Sequence, residues 1–244
     1  MPKLSAANQT PDAIGFATRE LVEAHLSNDS GFIPRDGFLG RIERFATELA
    51  RWGTKLNLTS APDDPDELAF HILDSLMPLL LASRDASAIL ARAFATNKRI
   101  LDLGSGAGFP GLVLAAASDA EFVLAESRRK RASFLSVAAG AMRLANVRVD
   151  HSHRTTFMPD FDAVTARAFA RPAQFYEIAA PALKPGGLLM LYASVRQRSE
   201  IEGIVASRND EWSVHEYEPP RPKGTPESAR GLQHHLIIVS HVHA

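Results

Sequence analysis

Apolar residues recur three and four apart at Phe38, Leu39, Ile42, Phe45, Ala46, Leu49 and Trp52, which predicts an amphipathic helix closed by Gly53. A weaker pattern from Ile14 to Leu26 predicts a short helix ending in the turn Ser27-Asn28-Asp29-Ser30-Gly31, and residues 1–30 read as a loosely attached segment. After Pro62 and Pro65, a second helix is predicted through His71, Ile72, Leu73, Leu76 and Leu80, so that residues 31–98 form a helical cap. From Arg99 the pattern changes to apolar runs of four to six residues, each followed by turn residues and a helical stretch, the signature of βαβ units. Strands are predicted at Arg99 to Leu103, Glu121 to Ala125, Val147 to Asp150, Ala163 to Thr165, Gly187 to Tyr192, Trp212 to Tyr217 and His235 to Ser240. Residues 218–231, rich in proline, glycine and charge, join the last two as a long exposed loop, and no internal repeat is present.

Composition narrows this picture. A chain of 244 residues suits one α/β domain, here residues 99–244, with the smaller elements before it. Its longest apolar runs fall well short of the roughly 20 residues that a membrane-spanning helix needs. The polar start Met1-Pro2-Lys3-Leu4-Ser5 gives no expectation of a signal peptide, so a cytoplasmic protein is expected. Without cysteine, disulfides, thiolate metal sites and cysteine nucleophiles are excluded. The net charge of −1 offers no general attraction to nucleic acid, but its distribution is uneven. From Arg128 to Arg171 nine cationic side chains face only Asp150, Asp160 and Asp162, a stretch that suits either phosphates or the solvated face of a helix. His151-Ser152-His153 resembles a metal pair, yet alternate strand positions point to opposite faces, so it reads as surface and no metal is expected.

The sharpest local signal is Asp102-Leu103-Gly104-Ser105-Gly106-Ala107-Gly108-Phe109-Pro110-Gly111. Glycines let the backbone turn tightly and approach a ligand, and Pro110 suits a helix start. Gly106, Gly108 and Gly111 also match the dinucleotide fingerprint, so the turn alone does not separate S-adenosylmethionine from NAD. Three features favour the methyl donor. Asp102 stands directly before the glycines, where methyltransferases place an acid near the cationic end of their cofactor. Ala182-Leu183-Lys184-Pro185-Gly186-Gly187 looks like the turn before a late methyltransferase strand, and the closing strand, loop and strand fit an antiparallel pair. Glu126, about 20 residues beyond Gly106, stands where an acid accepts from both ribose hydroxyls, although a helix-capping surface role is also open to it.

With these residues assembled, the chain resembles the RsmG (GidB) family of 16S ribosomal RNA guanine-N7 methyltransferases over residues 38–240. The carriers are Trp52-Gly53-Thr54-Lys55-Leu56-Asn57-Leu58-Thr59, His71-Ile72-Leu73-Asp74-Ser75-Leu76, the glycine turn, Glu126-Ser127-Arg128-Arg129-Lys130-Arg131, Asn146-Val147 and Phe161 to Ala170. The resemblance implies a Rossmann-like class I S-adenosylmethionine-dependent methyltransferase fold, an α/β protein with a seven-stranded, mostly parallel sheet and an N-terminal helical cap. It implies a cofactor site of Asp102, Gly104, Ser105, Gly106, Gly108, Phe109, Glu126, Ser127, Thr155, Thr156 and Arg167. Arg167, His71 and Asp74 would stand at the reacting end. His71 and Asp74 fit a structural lid equally well, and a buried pairing of Arg167 with Asp102 or Asp162 is the alternative to an anionic substrate contact. The chain departs from the family pattern at Gly53 (usually asparagine), Phe70 (arginine), Thr155-Thr156 (an acid after Arg154) and Ala193-Ser194 (lysine-glycine).

The implied partner is ribosomal RNA or the small ribosomal subunit, met by a monomer, with no membrane and no metal. Guanine N7 already carries an in-plane lone pair, so no catalytic base is expected and positioning supplies the rate. A class I methyltransferase acting on a small molecule or protein, and an NAD-linked protein, are the competing readings.

Overall fold

The computed structural model describes residues 10–29, 32–84, 88–152, 156–194, 197–208, 211–217 and 234–240. The loop at 218–231, His153, Arg154 and Thr155 lie outside these residues. Strands β1 (Arg99–Leu103), β2 (Glu121–Ala125), β3 (Val147–Asp150), β4 (Phe161–Arg167), β5 (Leu183–Ser194), β6 (Glu211–Tyr217) and β7 (His234–Ser240) form one sheet in the order β3-β2-β1-β4-β5-β7-β6. The first five pair in parallel, and β7 runs antiparallel to both β5 and β6. This is the expected α/β architecture. β4 and β5 begin earlier than their apolar runs predict, because Phe161 pairs with Leu183 ahead of a bulge that precedes Ala163.

The helices are α1 (Pro11–Asp29), α2 (Phe38–Leu56), α3 (Pro65–Ser75), α4 (Met77–Arg84), α5 (Ala88–Ala93), α6 (Gly111–Ala117), α7 (Arg129–Ala141), α8 (Pro172–Ala179) and α9 (Arg198–Arg208). Alternate strand residues face opposite ways. Ile100, Phe122, Leu124 and Met190 enter a core shared with α1 to α4, α6 and α7, whereas Leu101, Val164, Leu189 and Leu191 enter one shared with α8 and α9. The cap therefore lies on one face of the sheet, over α6 and α7.

Three expectations change here. The segment 1–30 reads as loosely attached, yet α1 buries Ile14 and Val22 against the cap. Burying such side chains is worth about 1.5–3 kcal/mol each, which joins residues 11–29 to the core. The helix predicted through His71 and Leu80 is two helices that break at Leu76, whose N–H reaches back to the carbonyls of Ile72 and Leu73. Nor does Gly53 close α2, which continues to a left-handed cap at Asn57. A Cβ on Gly53 would sit 2.2 Å from Cβ of Pro62, so the small residue lets the following loop pack on the helix. Trp52 turns outward, its indole N–H donating to Glu48 Oε2 at 3.0 Å.

The starts of three neighbouring strands are tied by one carboxylate. Asp162 accepts from Lys98 Nζ at 2.8 Å, Lys184 Nζ at 2.9 Å and the Arg99 amide at 3.0 Å. Against the burial that would raise it, these bonds hold its pKa down at about 2. Because the folded value lies below the unfolded one, the stabilisation is present above pH 4 and is lost as pH falls through about 2. Asp162→Asn should cost about 1–2 kcal/mol at pH 7, after allowance for the half-exposed lysines. Urea unfolding of both proteins should show this gap narrowing between pH 4 and 2; a gap independent of pH would place the effect elsewhere.

Candidate functional site

β1 ends in Asp102 and Leu103, and the turn that follows places Gly104, Gly106 and Gly108 at φ of +70°, +54° and +97°, conformations in which a side chain is strained. Gly111 then starts α6 directly above Asp102. A Cβ there would lie 2.4 Å from Asp102 Oδ2, so the third glycine of the fingerprint makes room for the carboxylate. Asp102 is fully buried, and among the described residues neither of its carboxylate oxygens has a hydrogen-bond partner. Burial pushes its pKa up to about 7, opposed by the nearby Ser105 and Gly111 dipoles and by the charge on Arg167.

Beside the turn, at the carboxyl ends of β1 and β2, lies a cavity of about 430 Å³. Gly104, Glu126 and Ser127 line it, joined by Arg128, Arg131, Ser152, Ala168 and Phe169. Glu126 is buried, with Oε2 accepting from the Gly106 amide at 3.0 Å and Oε1 from the Arg128 amide at 2.8 Å. The acid thus fixes the turn and the start of α7 while forming part of the cavity wall. Arg131 reaches across to the cap, donating to the Asn57 carbonyl at 3.0 Å.

A second cavity, of about 210 Å³, opens beyond the end of β4. Asp74, Arg167, Tyr192, Ser194 and Gln197 line it, and Ala168, with φ of +54°, belongs to both walls. Arg167 Nη1 donates to Asp74 Oδ2 at 3.0 Å, and Tyr217 Oη donates to Asp74 Oδ1 at 2.8 Å. Tyr192 Oη donates to the Ser75 carbonyl at 2.7 Å. Burial first, and then the charge on Asp74, push both tyrosine hydroxyls well above their ordinary pKa, so they remain donors. The Arg167 guanidinium also lies 4.9 Å from the centre of the Phe109 ring. That ring packs 5.2 Å from both Phe45 and His71, which joins the turn to α2 and α3.

The structure therefore divides the residues singled out in the sequence. Gly104, Glu126 and Ser127 stand on the larger cavity wall, and Gly106 is bonded to Glu126. Asp102, Ser105, Gly108 and Phe109 lie buried in or beneath the turn; Ser105 Oγ donates to the Asp102 carbonyl at 3.0 Å. Thr156 is exposed and is absent from that wall. Asp74 and Arg167 meet each other at the second cavity; of the two partners considered for Arg167, Asp162 is bound to lysines instead and Asp102 acts on it only through its charge. His71 touches neither cavity: its Nε2 lies 3.3 Å from Glu67 Oε1, and its ring packs between Phe70 and Phe109. Sequence reading missed Tyr192, Tyr217, Gln197 and Phe169. A tyrosine at the end of a predicted strand, as Tyr192 and Tyr217 are, carries a hydroxyl that needs a partner if the strand is buried, the one signal available for them.

Among the described residues, no three histidine, aspartate or glutamate side chains converge to hold a metal, and no helix is long and apolar enough to cross a membrane.

The family model described as rRNA small subunit methyltransferase G matches residues 39–220. A protein named ribosomal RNA small subunit methyltransferase G from Ralstonia nicotianae is 30% identical over 212 residues, covering 85% of this chain and 89% of its own. The protein of the same name from Desulfitobacterium hafniense is 30% identical over 197 residues, covering 78% and 74%. Among solved structures, a tRNA (m1A58) methyltransferase from Aquifex aeolicus superposes with a TM-score of 0.50 at 17% identity, covering 64% of this chain and 67% of that one. A SAM-dependent O-methyltransferase from Thermotoga maritima gives 0.50 at 20% identity, covering 71% and 72%. These two structures share the fold.

The Tyr217 hydroxyl bonds a buried carboxylate, a contact worth about 1.5–3 kcal/mol. Tyr217→Phe should lower unfolding stability by about that much, and a double-mutant cycle with Asp74→Asn should return a coupling above about 0.5 kcal/mol. Additive effects would separate the two residues.

Proposed function

The chain belongs to the rRNA small subunit methyltransferase G family, and on that premise we propose that it transfers a methyl group from S-adenosylmethionine to N7 of a guanine in 16S ribosomal RNA. The observation that carries the reading is the pair of cavities meeting at Ala168, one beside the glycine turn and one walled by Arg167. They offer two adjoining places for donor and acceptor.

The residues present suit the cofactor. Glu126 contributes a carboxylate to the wall of a cavity wide enough for a nucleoside, and the orphaned Asp102 carboxylate beneath the turn favours a cation above it. Gly104, Glu126 and Ser127 would hold the nucleoside end, and Asp102 would act on the charged end through the field it sets up. When bound, S-adenosylmethionine supplies an electrophilic methyl group on a sulfonium.

Arg167 presents its donors on the second cavity's wall, and a guanine offers O6 and N7 as acceptors along one edge. A contact through O6 leaves the N7 lone pair free to attack. That nitrogen has no proton to lose, so the site needs no base. Asp74 suits this, since one of its oxygens is committed to Arg167 and the other to Tyr217. Its negative charge also opposes the positive charge that grows on the purine as N7 is alkylated. Phe109 and Asp74 together hold the guanidinium in one orientation, and positioning of this kind is the principal source of rate.

Incubation of undermethylated small-subunit ribosomal RNA with the protein and labelled cofactor should yield N7-methylguanine. Arg167→Gln should reduce that yield tenfold or more while S-adenosylhomocysteine still binds. Cofactor binding without label in the RNA would redirect the search to another acceptor.

A cation bound over the turn lowers the pKa of Asp102 from about 7, so binding releases a proton and tightens as pH rises through 7. Calorimetry with S-adenosylhomocysteine, whose amino group keeps its charge in this range, should show that dependence. Asp102→Asn should abolish it, and Glu126→Ala should weaken binding about tenfold at every pH. A pH-independent affinity in the unaltered protein would remove Asp102 from the interaction.

A further inference from the structure

At the opposite end of the sheet from both cavities, where β1, β2 and β3 begin, lies a cleft of about 520 Å³, larger than either of them. Five arginines line it (Arg35, Arg41, Arg99, Arg143 and Arg148) against two acids, Asp119 and Glu121. The acids are already engaged. Asp119 lies 3.1 Å from Arg35 Nε, and Glu121 lies 3.7 Å from Arg99 Nε. Arg41 donates only to the carbonyls of Asp36 and Ala116, and Arg143 and Arg148 have no carboxylate partner among the described residues. Three guanidinium groups on one concave surface are therefore without a carboxylate ion pair among the described residues.

Two further features set this cleft apart from an ordinary solvated face. Arg143 follows the end of α7 with φ of +56°, a left-handed position that glycine or asparagine fills at less cost, and here it holds an arginine at the rim. The charges are also crowded. Partial burial, together with Arg35 and Arg44 nearby, lowers the pKa of Arg41 although Asp119 and Asp36 act the other way, so the cationic neighbours outweigh the acids around it.

We propose that this arginine cleft binds the phosphate backbone of the RNA substrate, as a docking site separate from the catalytic end of the sheet. The proposal rests on the reading of the protein as an RNA methyltransferase. Arginine suits the task because its planar fork matches two phosphate oxygens at once. With phosphates held at one end of the sheet and the target base at the other, the enzyme grips a folded RNA at two separated points. Two of the arginines, Arg143 and Arg148, belong to the basic stretch recognised in the sequence, and they stand well away from the cofactor turn.

The double variant Arg143→Gln/Arg148→Gln removes two exposed charges and no packing. Filter binding of a full-length 16S ribosomal RNA transcript from 50 to 400 mM KCl should show the slope of log Kd against log[KCl] falling by about one to two units, and affinity at 50 mM falling about tenfold. S-adenosylhomocysteine affinity and the melting temperature should be unchanged. A matched control, Arg19→Gln/Arg198→Gln, removes two arginines that are already paired with carboxylates elsewhere, and should leave the slope in place.

Equal slopes for the cleft variant and the unaltered protein would overturn the docking site while leaving the methyltransferase reading intact. An equal fall in the control would also overturn it, by assigning the effect to net charge. Failure of the unaltered protein to bind both the transcript and the assembled small ribosomal subunit would refute the RNA reading and the docking site with it. Inorganic pyrophosphate is the second arm: a melting-temperature rise that the cleft variant abolishes, with RNA binding unaffected, would make the cleft a small-anion site and overturn its assignment to RNA.

Discussion

The end of the sheet that carries the two adjoining cavities is organised around one largely enclosed charge, the guanidinium of Arg167. An arginine at the end of a central strand is costly to bury unless each side of it meets something complementary. Here Asp74 meets it from the cap, and the face of Phe109 meets it from the glycine turn. Those contacts draw α3, β4 and the turn to one point, and Tyr217 adds β6 through the other oxygen of Asp74. The cap is thereby more than a cover. It supplies the counter-ion without which the arginine would not be held in place.

Asp102 poses the opposite problem. It is a carboxylate with no hydrogen bond of good geometry among the described residues, enclosed beneath a helix start, and a protein near the usual margin of stability keeps such a group only at some expense. Gly111 reduces the steric part of that cost by leaving space over Oδ2, and the Arg167 charge reduces the electrostatic part. Glu126 is satisfied by contrast, with one backbone donor on each oxygen. The two acids flank the same turn in different states of readiness: Glu126 holds the loop's shape, and Asp102 holds its potential.

How much of this was legible in the sequence depended on range. The five parallel strands were readable because each is a short apolar run with turn residues after it, and Asp102 and Glu126 were readable because their meaning lies in their distance from the glycines. The partner of Arg167 was not. Asp74 stands 93 residues away, and Tyr217 stands 143 residues from Asp74. No local pattern encodes such pairings. The break at Leu76 was hidden for another reason, since the apolar stripe of α3 continues into α4 although the backbone does not. Trp52 fell in register with the buried face of α2 yet is partly exposed, its indole N–H bonded to the buried carboxylate of Glu48 one turn earlier. Gly53, a departure from the family pattern, is explained by Pro62, which occupies the space a larger side chain would need.

Ala168 is a small residue in an unfavourable conformation, and its position gives it influence beyond its size. It lines both cavities, so a shift there that widens one reshapes the other. A ligand that moved this segment from one side would change the affinity for a ligand on the other, and by thermodynamic reciprocity the factor would be the same in both directions. The strained residue between Arg167 and Phe169 is thus a party wall, and the shape of neither cavity is set independently of the other.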